Sequence, residues 1–231
     1  MMIMKENLDK LQKLIEVQFK DITLLNTAFV HRSYINEHKS VKEHNERLEF
    51  LGDAVLELVV TEYLYNNYKN PEGDLTNWRS ALVKTESISA AASRLGFEDY
   101  LKMSRGERAS SGRSRQLILA NSFEAVTGAI YLDQGYDVAK EFISKNILVN
   151  LPEIIEQKLY IDPKSLFQEL AQEREGLTPR YEVIAEVGLD HDKIFEIAVR
   201  VGEKVWGKGK GASKQLAQQE AARKAVEKYQ K

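Results

Sequence analysis

The strongest chemical signal in this 231-residue chain is a set of three carboxylates, Glu46, Glu49 and Asp53, at positions i, i+3 and i+7. On a helix this spacing puts all three on one face. Leu48, Leu51, Val55, Leu58 and Val59 make an apolar set beside them. Asn45 reads as the N-cap, its side-chain oxygen free to accept an orphan N–H, and Glu46 falls in the first turn, where the helix dipole favours negative charge. Stacked carboxylates repel one another, and only Arg47 lies nearby. A hard divalent cation relieves that repulsion, taking carboxylate oxygens while keeping waters for a phosphate substrate. An ordinary solvated acidic face is the competing reading. Against it stands Gly52, which costs a helix about 1 kcal/mol relative to Ala and marks a close approach of another backbone or side chain. Phe50 points away from the apolar stripe and calls for a partner outside its own domain.

The helix that carries these acids should run from Glu46 to about Tyr68. Before it, helical spacing predicts a first amphipathic helix through Leu8, Leu11, Leu14 and Ile15, and a second over 22–30 capped by Asp21. His31 reads as a hydrogen-bonded structural residue, and 36–44 as a polar loop. After it, Pro71-Glu72-Gly73-Asp74 reads as a turn with Asp74 as the next N-cap. A long helix is expected over 75–95, stopped by Gly96. The stretch 103–116 reads as a loop with Arg105, Arg108 and Arg113 suited to phosphate contact. A further helix over 117–133 holds Asn121 and Glu124 one turn apart, with Gly128 allowing tight packing. Helices over 138–148 and 154–159 complete a front part with no convincing strand.

Beyond Tyr160 the pattern changes. Asp162-Pro163 opens a helix over 164–174. The period then becomes two, giving strands through Tyr181, Val183 and Ala185, over 194–201 and over 203–208. Ser213 caps a last helix with Leu216, Ala217, Ala221, Ala225, Val226 and Tyr229 on one side.

Composition agrees with two different jobs. Net charge is −2, yet residues 203–231 carry eight basic against three acidic side chains, leaving the remainder at −7. An acidic front and a basic end fit a metal site followed by a nucleic-acid-binding end. At 43% hydrophobic and 29% charged residues the chain should be globular. No cysteine means no disulfide framework and no thiolate metal site, which fits a cytoplasmic location. The N-terminus is not patterned as a signal peptide, and no apolar run approaches the roughly 20 residues of a membrane span.

The run Asn45-Glu-Arg-Leu-Glu-Phe-Leu-Gly-Asp-Ala-Val-Leu56 resembles the signature of the ribonuclease III family, and 117–133 resembles its second signature helix. The order α-β-β-β-α, with Lys-Gly-Lys-Gly-Ala-Ser-Lys before the last helix, resembles the double-stranded RNA-binding domain. The resemblance implies an all-α nuclease domain, 1–159, followed by an α+β RNA-binding domain, 162–231. It implies a Mg²⁺-dependent endoribonuclease, with Mn²⁺ as a possible substitute. That enzyme would cut double-stranded RNA to 5′-phosphate products with short 3′ overhangs, in rRNA, mRNA and tRNA processing. It would act as a homodimer and need neither a membrane nor a nucleotide cofactor.

Carried over residue by residue, the resemblance makes Glu49, Asp53, Asn121 and Glu124 the metal ligands. Asp53, Glu124, Glu46 and Glu72 become catalytic or supporting acids, and Phe50 fills a pocket of the second subunit. RNA contacts fall to Arg105, Arg113, Ser165, Gln168, Gln172, His191, Lys208, Lys210, Ser213 and Lys214. The chain departs from the family pattern at Ser111, at Leu189, at Gln215 and most consequentially at Asn121, where the family has Asp. The alternative is therefore a double-stranded RNA-binding protein whose nuclease site is impaired or inactive because of Asn121.

Overall fold

The computed structural model describes residues 2–188 and 193–229, with side chains from Leu8 onward. Among the described residues ten α-helices come first: α1 (Met2–Ile15), α2 (Ile22–Ala28), α3 (Arg32–Glu37), α4 (Glu46–Asn67), α5 (Glu72–Val83), α6 (Thr85–Arg94), α7 (Arg105–Arg108), α8 (Gly112–Gln134), α9 (Tyr136–Asn146) and α10 (Leu151–Glu156). Then follow α11 (Pro163–Glu175), β1 (Arg180–Val187), β2 (Ile194–Val201), β3 (Lys204–Gly211) and α12 (Lys214–Tyr229). The chain divides into two compact units, Met1–Tyr160 and Ile161–Lys231. Among the described residues no helix is long and apolar enough to cross a membrane.

The first unit is helical and is built on the pairing of α4 with α8. Leu56, Val59 and Val60 of α4 are fully buried, as are Phe123, Val126 and Ile130 of α8. Phe123 also joins an aromatic series, 6.3 Å from Phe97 and 5.0 Å from Phe142 by ring centroids.

Several local expectations are corrected. Asn45 precedes α4 in helical geometry and makes no side-chain capping bond. Its backbone instead ties α4 to Val30, donating to that carbonyl at 2.9 Å. Leu58 is 57% exposed, on the α4 face shared with Phe50 and Tyr65. Pro71 precedes a helix that already begins at Glu72, so Asp74 lies inside the first turn rather than capping it. The expected 75–95 helix is two, broken at Lys84, whose ψ of 150° is extended. The expected loop at 103–116 contains α7, capped by Ser104 Oγ accepting from Glu107 N at 3.2 Å. Gly112, with φ of 61°, then starts α8, placing Arg113 on a helix.

The second unit has an antiparallel sheet ordered β1-β2-β3, with α11 and α12 packed together and α12 against the sheet. Phe167, Ala171, Val199, Val201, Ala221, Ala225 and Tyr229 form its core. The expected alternation in β1 is interrupted between Val183 and Ala185, and Val183 and Ile184 are each 43% exposed. The third strand continues to Gly211 instead of ending at Lys208. Its glycines let the strand lie against α12: a Cβ at Gly207 would sit 2.2 Å from the Ala221 carbonyl, and one at Gly209 2.3 Å from that of Ala217. Leu216, expected in this core, is 53% exposed.

Candidate active site

Two glycines bring the acidic residues of α4 and α8 together. A Cβ at Gly52 would lie 1.7 Å from the Glu124 carbonyl oxygen, and one at Gly128 2.2 Å from that of Leu48. The backbones therefore touch where no side chain fits. Glu49 and Asp53 flank Gly52, while Asn121 and Glu124 lie two turns and one turn ahead of Gly128.

The electrostatics record this convergence. Burial raises the Glu49 carboxyl, as does the charge of Glu46; the neighbouring Asn121 side chain opposes them, and Asp53 raises it further. The Glu124 carboxyl is pushed up to about 8, chiefly by burial and then by Asp53 and Glu49. A half-buried carboxyl facing two others resists ionising. Among the described residues no Lys, Arg or His forms an ion pair with Glu49, Asp53 or Glu124. Glu46 differs: Arg32 stands 3.4 Å from its carboxylate and His44 3.8 Å. Arg32 and His44 escaped the sequence reading. Arg32 lies fourteen residues before Glu46, too far for helical spacing to join the two.

The donor set, three carboxylates and one amide carbonyl, is all oxygen and carries uncompensated negative charge. It fits a hard divalent cation. Among the described residues no three His, Cys, Asp or Glu side chains stand close enough, as placed, to hold a metal ion. The backbones of α4 and α8 are in contact, but the repelling carboxylates themselves stay apart.

Glu72 is not gathered into this cluster. Its carboxylate accepts from Thr76 Oγ1 at 2.7 Å and lines a separate cleft of about 560 Å³ with Thr61, Leu64, Tyr65, Tyr68 and Arg79. Phe50 is 82% exposed. His31 caps α3, its Nδ1 accepting from Ser33 N at 3.3 Å.

Arg105 and Arg113 are exposed, the first beginning α7 and the second in the first turn of α8. In the second unit, Ser165, Gln168 and Gln172 share α11, with Ser165 Oγ donating to Asp162 at 3.0 Å and Gln172 donating to Thr178 at 3.4 Å. Lys208 is exposed on β3. Lys210 stands 3.6 Å from Glu196, and Lys214 3.7 Å from Glu186. Ser213 Oγ accepts from Leu216 N at 3.2 Å, capping α12. Lys214 opens α12, where helix dipole and lysine favour the same anion. His191 lies outside the described residues.

Comparison with known proteins follows the same division. Residues 21–151 match a family described as Ribonuclease-III-like, and residues 163–229 match the double-stranded RNA binding motif. The protein called Ribonuclease 3 in Streptococcus pneumoniae serotype 19F (strain G54) is 47% identical over 227 residues, 97% of each chain. Two structures of the nuclease domain of ribonuclease III from Campylobacter jejuni are each 42% identical. One, described for flexibility in a region involved in dimer formation, covers 60% of this chain and 97% of its own, with a TM-score of 0.54. The other covers 62% and 95%, with a TM-score of 0.56.

Proposed function

This chain belongs to the ribonuclease III family, and we propose that it hydrolyses phosphodiester bonds of double-stranded RNA. The nuclease domain would be 1–159 and the RNA-binding domain 162–231. The observation that supports this is the Gly52–Glu124 backbone contact between the two helices that carry Glu49, Asp53, Asn121 and Glu124, with no ion pair to the three carboxylates among the described residues.

Those four residues would hold Mg²⁺ or Mn²⁺. When bound, the ion would lower the pKa of a water and offset charge on the departing 3′ oxygen. The chain's own residues supply the rest. Glu46, fixed by Arg32 and His44, sets the field beside Glu49. Arg105 and Arg113 would take phosphates of the duplex, and Glu72 would support the site from its separate cleft. In the second domain, Ser165, Gln168 and Gln172 would touch the duplex, with His191 reaching the minor groove. Lys208, Lys210, Ser213 and Lys214 would bridge phosphates across the major groove. That mode reads A-form shape rather than sequence. Products would carry 5′-phosphates and short 3′ overhangs, and the substrates would be ribosomal, messenger and transfer RNA precursors in the cytoplasm.

Cutting both strands takes two sites, which a two-fold homodimer supplies. The exposed face of α4 fits this. Phe50, Leu58 and Tyr65 line it, and two antiparallel copies related about Leu58 would place Phe50 against the partner's cleft at residues 61–79.

The test is incubation of the purified protein with long double-stranded RNA and Mg²⁺ beside a single-stranded control. Cleavage confined to the duplex is expected; none under any metal condition would remove the nuclease reading. One observation favours a second reading, an RNA-binding protein with an impaired site: position 121 holds an uncharged amide where the family has a carboxylate.

A further inference from the structure

Away from the acidic cluster, α3 and α7 enclose a hollow of about 730 Å³ lined by Tyr34, Glu37, His38, Met103, Arg105 and Arg108. The Tyr34 and His38 rings are stacked, with centroids 3.8 Å apart and planes 13° from parallel. His38 Nδ1 lies 3.2 Å from the Tyr34 carbonyl oxygen, which fixes the imidazole over the phenol ring. The Glu37 carboxylate accepts the backbone N–H of Arg105 at 3.2 Å, tying α3 to α7, and forms no ion pair with either guanidinium among the described residues. Among the described residues neither Arg105 nor Arg108 has an ion pair, and both are exposed. The hollow therefore joins a rigid π-surface to two unspent guanidinium groups.

A duplex phosphate needs only the guanidiniums. Along an A-form duplex the faces of interior base pairs are covered by their neighbours, so away from a helix end an aromatic platform has nothing to stack on until a base is unpaired. The six residues of α3 span about 9 Å, and Arg32 at their start pairs with Glu46. The platform is thus held close to the acidic cluster by the same short helix.

We propose that the hollow between α3 and α7 binds an unpaired nucleotide of the RNA substrate. The base stacks on the Tyr34–His38 pair, and its flanking phosphates meet Arg105 and Arg108. This rests on the reading of the chain as acting on double-stranded RNA, and adds to it a preference for duplexes carrying an unpaired base.

The test measures binding of the full chain by fluorescence anisotropy, without divalent cation so that nothing is cut. Three RNAs of equal duplex length are compared: blunt, with two-nucleotide 3′ overhangs, and with one internal unpaired uridine. One stacked base predicts at least about fivefold tighter binding for an RNA with an unpaired nucleotide than for the blunt one. Tyr34→Ala and Arg108→Ala should each bring that ratio towards one, while Tyr34→Phe, which keeps the ring, retains it. With 5-iodouridine at the unpaired position, light should crosslink the RNA to the peptide containing Tyr34 and His38. A ratio of one in the original chain overturns the proposal. So does a ratio that survives both Tyr34→Ala and Arg108→Ala, or a crosslink elsewhere. Failure of the wider reading looks different: the blunt duplex itself would not bind.

Discussion

The backbone of Gly52 lies so close to Glu124 that a Cβ on the glycine would come within 1.7 Å of the Glu124 carbonyl oxygen. That oxygen belongs to the helix backbone and cannot swing aside as a side chain can. Gly52→Ala should therefore push α4 from α8 and destabilise the nuclease unit by about 3 kcal/mol or more, at the upper end of overpacking costs. Gly128→Ala, facing the Leu48 carbonyl at 2.2 Å, should act in the same direction. Urea unfolding of each variant is the check, and a change under about 0.5 kcal/mol would show that the helices can separate without loss.

How much of this site was legible beforehand depends on distance along the chain. Glu46, Glu49 and Asp53 share a face by periodicity alone, and Gly52 announced a close neighbour. No periodicity connects Asp53 with Asn121, sixty-eight residues later; only the family resemblance joined them. The break at Lys84 was not readable, because Val83-Lys84-Thr85 contains neither Gly nor Pro. The α7 cap was readable and passed over: Ser104 and Glu107 have capping-box spacing. Arg32 and Glu46 pair across a turn of chain that sequence spacing cannot fold.

Asp133, near the end of α8, offers a pH test. Its carboxylate accepts the backbone N–H groups of Lys20 and Asp21, each at 2.8 Å. Burial works to raise its pKa, but these bonds, with help from Gln134 and Lys20, outweigh burial and hold the carboxyl below its usual range. A depressed carboxyl contributes stability that is present above the unfolded-state pKa and lost as pH falls through the folded value. Asp133→Ala should cost about 1 kcal/mol at neutral pH, after discounting for solvent exposure, and nearly nothing at the acid end. Thermal melts of both proteins from pH 7 to pH 3 should converge; a constant gap would assign the loss to packing instead.

Phe50 is 82% exposed in the single chain, which is costly for a large aromatic unless something covers it. If a second copy does, Phe50→Ala should weaken dimerisation by about 2 kcal/mol or more, roughly thirtyfold in the constant. Sedimentation across a concentration series measures this. An unchanged constant would take Phe50 out of the interface.

The two compact units have separate cores, one around α4 and α8 and the other around Phe167 and Tyr229. Deleting residues 162–231 should leave a folded dimer that binds RNA weakly at physiological salt. Lowering the salt should restore part of the cleavage, because the remaining phosphate contacts strengthen as screening falls. Binding and cleavage equal to the full chain at physiological salt would deny the second unit its RNA-binding role.

Asn121 carries the sharpest prediction. Its carbonyl oxygen can reach a cation, but the amide brings no charge, and a flipped amide would present N–H donors instead. Three carboxylates remain, enough to attract one Mg²⁺ but with less pull than four. Cleavage should therefore be slow, should rise to unusually high Mg²⁺ concentrations and should improve with Mn²⁺, which sits higher in affinity for such ligands. Asn121→Asp should lower the Mg²⁺ requirement and speed cleavage. Glu124→Gln should abolish it, because a second charge is then lost. Cleavage rates of one double-stranded RNA against Mg²⁺ and Mn²⁺, for all three proteins, decide the matter. Identical metal curves for the original chain and Asn121→Asp would mean that position 121 is not a ligand. Activity that appears only in Asn121→Asp would leave the original chain as a protein that holds double-stranded RNA and does not cut it.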